Sequence, residues 1–409
     1  MNTGKKEEKQ LTVLVLGGDG YLGWPTAMHF ARHEHSVAIV DNLQKRQMEE
    51  EVGGEPLFLR PPLQRRVKFW NSLEHRHPIT LPPGNVINIA TNGPALIDFV
   101  LRLKPDVIIH YAEQPSAPYS MWSRSRAVNT VVNNSAGTLN VLFAIRELKR
   151  KTGKEAHLIK LGTMGEYGTP NIDIEEGWLE VEHNGRKDRL PFPKLPGSFY
   201  HASKVADSAY IEFACRAWGI RATDLNQGVV YGIDTDETEL HSNLVTSFHY
   251  DAVFGTALNR FIVQAVAGVP LSVYGKGGQT RGYLNIRDTL QCVALAAQSP
   301  PNAGEFRVFN QFTEQFSVLE LAEKVKHVGN TLELNVVIDH ITNPRVELEE
   351  HYYNAKHTGL LELGLQSHLL TDEVIAEMLQ KVITKQQTID RTVIEPQIIW
   401  CLPEEAPSI

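Results

Sequence analysis

Cysteine is nearly missing. Cys215, Cys292 and Cys401 are spread through 409 residues. They are too few and too far apart for a disulfide framework, and imply a reducing compartment with buried thiols. A basic excess is missing too. Forty Lys and Arg stand against forty-eight Asp and Glu, a net charge of −8 with no basic tail, which argues against nucleic acid as a partner. No uncharged apolar run approaches membrane-spanning length, so membrane insertion is not expected. The first ten residues mix Lys5, Lys6, Glu7, Glu8 and Lys9 without an apolar stretch, unlike a secretory signal or an Arg- and Ser-rich transit peptide. Sixteen histidines are scattered without zinc-like spacing, so no metal is expected. Internal repeats and low-complexity stretches are absent. These absences leave a soluble cytoplasmic protein, with an organelle still open. Its 42% apolar residues suffice for a full core and two lobes.

What is present begins at Thr12-Val-Leu-Val-Leu-Gly17-Gly-Asp-Gly20-Tyr21-Leu22-Gly23. A strand-length apolar run ends in three glycines spaced three apart. An amphipathic helical segment follows, then Ser36-Val-Ala-Ile-Val-Asp41, a second apolar strand closing on a carboxylate. This is a βαβ unit of about thirty residues with the dinucleotide-binding arrangement. The glycines give a tight turn, backbone approach to a pyrophosphate and close helix-to-strand contact. The helix predicted from near Tyr21 presents its positive end to that pyrophosphate. Asp41 is placed to accept from the adenosine ribose hydroxyls, which favours NAD over NADP, whereas Lys45 and Arg46 are cations able to meet a 2′-phosphate.

Residues 47–92 interrupt the alternation of strand and helix, with Arg60-Pro61-Pro62, Phe69, Trp70 and Pro82-Pro83-Gly84, and read as an insertion over the cofactor or an oligomer contact. Beyond it a strand is predicted at 85–90, a helix near 94–104 and a strand at 106–110. A helix at 126–151 and a strand at 156–161 come next, then a helix at 199–218 and a strand at 222–225. Such alternation means a parallel, doubly wound α/β sheet. After Gly228 turn-rich stretches at 231–243 and 275–282 are mixed with helices at 256–268, 288–298 and 317–328. The pattern divides the chain into a dinucleotide-binding domain at 1–228, a smaller discontinuous substrate lobe at 229–400 with segments returning to the first, and a tail at 401–409. A cleft is expected at the carboxyl ends of the strands.

Tyr200-His201-Ala202-Ser203-Lys204 stands near the start of the 199–218 helix, so Tyr200 and Lys204 share a face. An ammonium beside a phenol stabilises phenolate and lowers its pKa, turning Tyr200 into a base. The same spacing also describes an ordinary aromatic–cation helix pair. Thr163 directly follows a predicted strand and is either the hydroxyl donor that accompanies such a base or a plain helix cap.

Together, Gly17-x-x-Gly20-x-x-Gly23, Asp41-Asn42-Leu43, Thr163, Tyr200-x-x-x-Lys204 and Arg281-Gly-Tyr-Leu-Asn-Ile-Arg-Asp288 resemble the extended short-chain dehydrogenase/reductases, the NAD-dependent nucleotide-sugar epimerases and dehydratases. Longer stretches at 116–121, 161–177, 223–232, 274–282, 305–314 and 349–356 resemble one branch, which makes a sulfonated UDP-sugar for sulfolipid synthesis from UDP-glucose and sulfite. The match covers most of the chain outside 47–104 and both ends. It implies a Rossmann-type fold, NAD as cofactor, UDP-glucose and sulfite as substrates, and a homodimer. It also implies that Tyr200, assisted by Thr163, deprotonates the sugar's 4-hydroxyl while hydride passes from C4 to NAD, and that Lys204 holds the nicotinamide ribose. Water then leaves across C5 and C6, sulfite adds at C6, and C4 is reduced again. His201 assists at C6 or holds sulfite, or is an inert, partly buried histidine. Cofactor contacts implied are Gly17, Gly20, Tyr21, Leu22, Gly23, Asp41, Asn42, Arg46, Glu113 and Asn133, beside Tyr200 and Lys204. Substrate contacts implied are Thr163, Met164, Gly165, Glu166, Asn226, Gln227, Thr256 and Ala257, with Arg281 and Arg345 on the diphosphate.

The chain departs from the family at informative places. Related 4,6-dehydratases carry an Asp-Glu acid–base pair after the Thr; here those places hold Met164 and Gly165. An Arg usual in the sulfite-using branch is replaced by Pro115, which removes a cation facing the substrate. A Gly-Asp-Ile that meets adenine is replaced within Asn88-Ile-Ala-Thr-Asn92, which implies altered adenine recognition. Three readings fit: the sulfonating enzyme, a UDP-sugar dehydratase or epimerase without sulfite, and a non-catalytic NAD or UDP-sugar sensor.

Overall fold

The computed structural model describes residues 9–74, 76–345, 351–396, 398 and 400. Lys5 to Glu8, Glu349 and Glu350 of the last family-like stretch, and the tail 401–409 with Cys401, Pro403 and Pro407 lie outside the described residues. β1 (Thr12–Leu16) is buried and apolar on both faces, the pattern of an interior parallel strand. α1 (Gly23–Arg32) returns the chain to β2 (Ser36–Val40), in register with β1 through Leu14 opposite Ala38. α2 (Gln44–Val52), α3 (Leu63–Trp70) and the short β3 (Ile79–Thr80) follow, β3 lying on the edge beside β2. α4 (Gly93–Leu103) leads to β4 (Val107–His110), which pairs on the other side of β1. Next come α5 (Ala117–Trp122), the long α6 (Arg124–Thr152) and β5 (His157–Thr163). A hairpin of β6 (Trp178–His183) and β7 (Arg186–Pro191) precedes α7 (Phe199–Trp218) and β8 (Arg221–Gln227).

β9 (Val229–Tyr231), α8 (Ala257–Ala267), β10 (Leu271–Tyr274), β11 (Thr280–Asn285) and α9 (Ile286–Gln298) continue the chain. It then runs through β12 (Phe306–Gln311), β13 (Glu314–Ser317), α10 (Val318–Thr331), β14 (Ile338–Ile341), α11 (Gly359–Glu362) and α12 (Asp372–Ile383). The central parallel sheet has the order β12-β8-β5-β4-β1-β2-β3. β12 therefore returns from the carboxyl-terminal half to the main sheet. Strand order reverses between β1 and β4, so the crevice at their carboxyl ends is the switch point where open α/β sheets take ligands.

β8 reads Arg-Ala-Thr-Asp-Leu-Asn-Gln yet is almost wholly buried. Its polar side chains persist inside because each finds a partner: Thr223 the His157 ring at 2.9 Å, Asp224 the Lys160 ammonium at 3.1 Å, Asn226 the Tyr167 hydroxyl at 2.7 Å. A second apolar core joins α8, α10 and α12, and it takes in Leu57 and Phe58 from the 47–92 insertion. The Leu57 amide donates to the Phe248 carbonyl at 2.9 Å. The insertion thus fastens the two halves to one another. The strand expected at 85–90 does not form. Pro82 and Pro83 remove ladder donors just after β3, and Ile87 and Ile89 are buried without a ladder, the Ile87 amide donating to the Asp41 carbonyl at 3.1 Å. Among the described residues no helix is long and apolar enough to cross a membrane.

Candidate active site

A cavity of about 680 Å³ opens at the switch point. Gly17, at φ +83°, stands where a Cβ would lie 2.6 Å from the Tyr111 backbone, and a Cβ on Gly23 would reach the Gly17 carbonyl at 2.0 Å. Neither position admits a side chain. At Gly20 a Cβ would meet nothing nearer than 3.4 Å, so there the missing side chain leaves open cavity. Gly17, Gly20, Tyr21, Leu22, Gly23, Asp41 and Asn42 all line the wall, and α1 starts directly behind them. Bare backbone at a helix start, with a carboxylate at the tip of β2, fits a dinucleotide.

Asp41 accepts from the Asp19 amide at 2.8 Å and the Leu43 amide at 2.7 Å. Burial, reinforced by the charge of Asp19, pushes its carboxyl up to about 6. Asp19 is itself buried among arginines, with Arg46 at 2.7 Å, Arg66 at 2.6 Å and Arg60 at 3.5 Å. Burial alone would raise Asp19, but the Arg46 hydrogen bond and the surrounding guanidinium charges hold it below the usual carboxylate range. Arg46 is consequently spent on Asp19 and is not among the cavity-lining residues, in contrast to the cofactor contact expected from the sequence. Lys45 does reach the wall. It is tied to Glu49 at 2.8 Å and lies over the Phe254 ring at 3.4 Å. Both cations that stood against an NAD preference therefore have internal partners.

At the other end Thr163, the last residue of β5, accepts from the Gly165 amide at 3.1 Å and caps a single 3₁₀ turn. The cap reading holds, and Thr163 still lines the cavity beside Met164, Gly165, Tyr200 and His201. The His201 ring pairs with Ser198, the cap of α7, at 3.0 Å. A Cβ on Gly165 would come within 2.3 Å of Nε2 of His201. A side chain at the second position of the dehydratase acid–base pair is thus incompatible with His201 where it stands.

Lys204 lies behind the wall, fully buried, donating to Glu113 and to the Leu161 carbonyl. Lys160 next to it meets Glu166 at 3.0 Å, Asp224 at 3.1 Å and Ser208 at 2.8 Å. Glu166, which also meets Lys194 at 3.2 Å, belongs to this ionic cluster and does not reach the cavity. Burial would raise its carboxyl, but the Lys160 and Lys194 charges hold it at about 2. The Tyr200 phenol differs from the sequence expectation. Burial first, and the Glu113 charge second, push it well above its ordinary value.

The far end carries Gln227, Thr256, Ala257, Arg281 and Arg345 on the wall. Arg281 donates to the Thr280 carbonyl at 2.8 Å and contacts His351, and the Arg345 guanidinium packs on the Trp400 ring. Asn226 points at Tyr167 and stays behind the wall. Asn133 and Glu113 line the cavity; the Asn133 amide donates to Asn134 at 3.1 Å. The sequence reading missed Gln279 and Tyr353. Both line this end with buried polar atoms lacking a hydrogen-bond partner among the described residues. Position two before Arg281, in the same Gly-rich approach, was the available signal for Gln279.

Residues 13–310 match the NAD dependent epimerase/dehydratase family. The chain is 55% identical over 388 residues to the chloroplastic UDP-sulfoquinovose synthase of Spinacia oleracea, covering 95% of this chain and 79% of that one. It is 42% identical to the UDP-sulfoquinovose synthase of Sulfolobus acidocaldarius, covering 96% of this chain and 98% of that one. The UDP-glucose 4-epimerase of Thermotoga maritima, solved with UDP-glucose, superposes with a TM-score of 0.65 at 17% identity, over 92% of this chain and all of that one, a likeness of fold.

Proposed function

The chain belongs to the NAD-dependent epimerase/dehydratase family, and from that membership we propose that it converts UDP-glucose and sulfite into UDP-sulfoquinovose. Its cofactor is NAD, which when bound accepts hydride from the sugar's C4 and later returns it. Gly17, Gly20, Tyr21, Leu22 and Gly23 would hold the pyrophosphate, Asp41 and Asn42 the adenosine ribose, and Glu113 and Asn133 the nicotinamide half, with Lys204 behind Glu113 and not on the wall. Tyr200 takes the proton of the 4-hydroxyl and gives it back at the end, and the Thr163 hydroxyl hydrogen-bonds the same oxygen. A ketone at C4 acidifies the C5 hydrogen, so the 6-hydroxyl leaves as water. The sulfur lone pair of sulfite then adds to C6, and a proton returns to C5. His201, Met164 and Gly165 flank that carbon. Gln227, Thr256, Ala257, Arg281 and Arg345 hold the UDP.

The observation that carries this reading is a single cavity whose wall joins the glycine turn, Thr163 with Tyr200, and Arg281 with Arg345. UDP-glucose incubated with the protein and NAD is expected to yield a sulfonated UDP-sugar by mass spectrometry only when sulfite is present, and a Tyr200→Phe variant to yield none. Consumption of UDP-glucose to an unsulfonated sugar regardless of sulfite would assign the chain to a dehydratase or epimerase. Product from Tyr200→Phe at the native rate would remove Tyr200 from the chemistry. We further propose a homodimer built on α6 and α7, which expose Val128, Val132, Leu139, Phe143 and Phe213. We also propose a cytoplasmic setting, in keeping with the free thiols of Cys215 and Cys292.

A further inference from the structure

We propose that Trp400 is a positioning residue for the diphosphate, its ring holding the Arg345 guanidinium on the cavity wall ready for phosphate oxygens. That role rests on the reading of Arg345 as a UDP contact and adds to it a residue beyond the family-like stretches of the sequence. Both side chains line the cavity. The Arg345 guanidinium lies 5.1 Å from the centroid of the Trp400 ring, within cation–π range. The Trp400 amide donates to the Pro344 carbonyl at 3.0 Å, one residue before Arg345. Ring and guanidinium are thus joined twice, through backbone and through the stack. The Arg345 amide in turn donates to the Asn343 side-chain oxygen at 3.0 Å, a local turn that fixes the backbone from which the guanidinium is carried.

The segment that carries the ring is anchored in its own right. The Asp390 amide donates to the Tyr250 hydroxyl at 3.0 Å, and the Val393 carbonyl accepts from the Ala252 amide at 2.9 Å. Ile394 is buried in the second core with α8, α10 and α12, and Ile398 is buried as well. An unrestrained arginine samples many rotamers and must give them up to clasp a phosphate. Stacked on an anchored ring, Arg345 has given them up before the nucleotide arrives, which is preorganisation. The stack engages only the face of the guanidinium and leaves its in-plane N–H donors for phosphate oxygens. An aromatic face also attracts the cation without neutralising it as a carboxylate would. Arg46, consumed by Asp19 at 2.7 Å, shows the opposite outcome in the same chain.

The test is Trp400→Ala, with Trp400→Phe beside it, read by calorimetry on the NAD-loaded protein with UDP and with uridine. Trp400→Ala is expected to weaken UDP about tenfold and to leave uridine, which carries no phosphate, at its wild-type affinity. In turnover the KM for UDP-glucose should rise in the same proportion while kcat moves little. Trp400→Phe keeps a face for the cation and should recover most of the UDP affinity. In an Arg345→Ala background the loss of the ring should cost nothing further, since both act through one group. Unchanged UDP affinity in Trp400→Ala overturns the proposal. So does an equal weakening of UDP and uridine, which would set the ring against the base and not behind the arginine. Should Trp400→Ala fail to fold, Trp400→Leu, which fills the space without a π face, takes its place with the same expected losses. UDP binding requires neither sulfite nor turnover, so a wild type that binds no UDP overturns the UDP reading itself, whereas a failed proposal leaves wild-type binding intact.

Discussion

Pro115 occupies the cavity wall between two residues held firmly from behind. The Gln114 amide donates to Asn134 at 2.8 Å and its side chain to Thr130 at 2.8 Å, while the Ser116 hydroxyl donates to the Val253 carbonyl at 2.5 Å. A side chain grafted at 115 would thus start from a fixed backbone. Sulfite is a small anion with no hydrophobic surface, so its capture rests on charge-assisted hydrogen bonds. Pro115→Arg is expected to lower the half-saturating sulfite concentration about tenfold, the equivalent of ~1.4 kcal/mol, with the KM for UDP-glucose unchanged. An unaltered sulfite dependence in a folded variant would mean that another group already supplies the charge. At this scale Gly17, Gly20, Gly23, Asp41, Thr163 and Tyr200 were legible because each is tied to local backbone or to spacing along one helix. The fates of Arg46 and Lys204 were not. The sequence displays their charges but not their partners, Asp19 lying 27 residues from Arg46 and Glu113 91 residues from Lys204.

Among the elements, α7 was readable to its ends because the stop signals are written beside it. Ser198 caps its start by accepting from the His201 amide at 3.2 Å, and Gly219 closes it at φ +63°. β3 was not readable, since two residues on a sheet edge take their place from β2 and not from their own pattern. α2, which leads into the insertion, shows what this stretch adds. Its inner side chains Gln44, Lys45 and Met48 line the cavity. On its other side Glu51 accepts from Arg126 at 2.6 and 2.9 Å and from the Tyr119 hydroxyl at 3.0 Å, and the Arg126 guanidinium lies 3.9 Å over the Trp122 ring. A solvated ion pair alone contributes little. This one is doubled and stacked on an aromatic ring, and it joins α2 to α5 and α6 beside the dinucleotide end. Arg126→Ala is accordingly expected to speed NAD release about tenfold, again ~1.4 kcal/mol, followed by absorbance during dialysis of the loaded protein. Release at the wild-type rate would show that α2 stays in place without the clamp.

For the whole molecule, what sets α6 apart is its apolar outer face. Val128, Val132, Leu139 and Phe143, with exposures of 48, 53, 39 and 41%, fall on one stripe at intervals of four, seven and four residues, and Phe213 on the neighbouring α7 is 55% exposed. An apolar stripe along two packed helices is a surface that a twofold-related copy can cover with its own α6 and α7. α6 also carries Arg126, which clamps α2, and Asn134, which holds Gln114. Covering its outer face would therefore stiffen the helix that forms one side of the cofactor cavity. The two effects would then be linked, because a partner that orders α6 would also steady the residues α6 holds at the cavity wall. A double variant, Val132→Glu with Phe143→Glu, places carboxylates where each copy would bury methyl and phenyl groups. Light scattering is expected to give the mass of a dimer for the wild type and of a monomer for the variant, and the monomer should lose NAD faster than the dimer. A monomeric wild type would overturn the interface, and a monomeric variant that keeps its NAD as tightly as the dimer would separate assembly from cofactor retention.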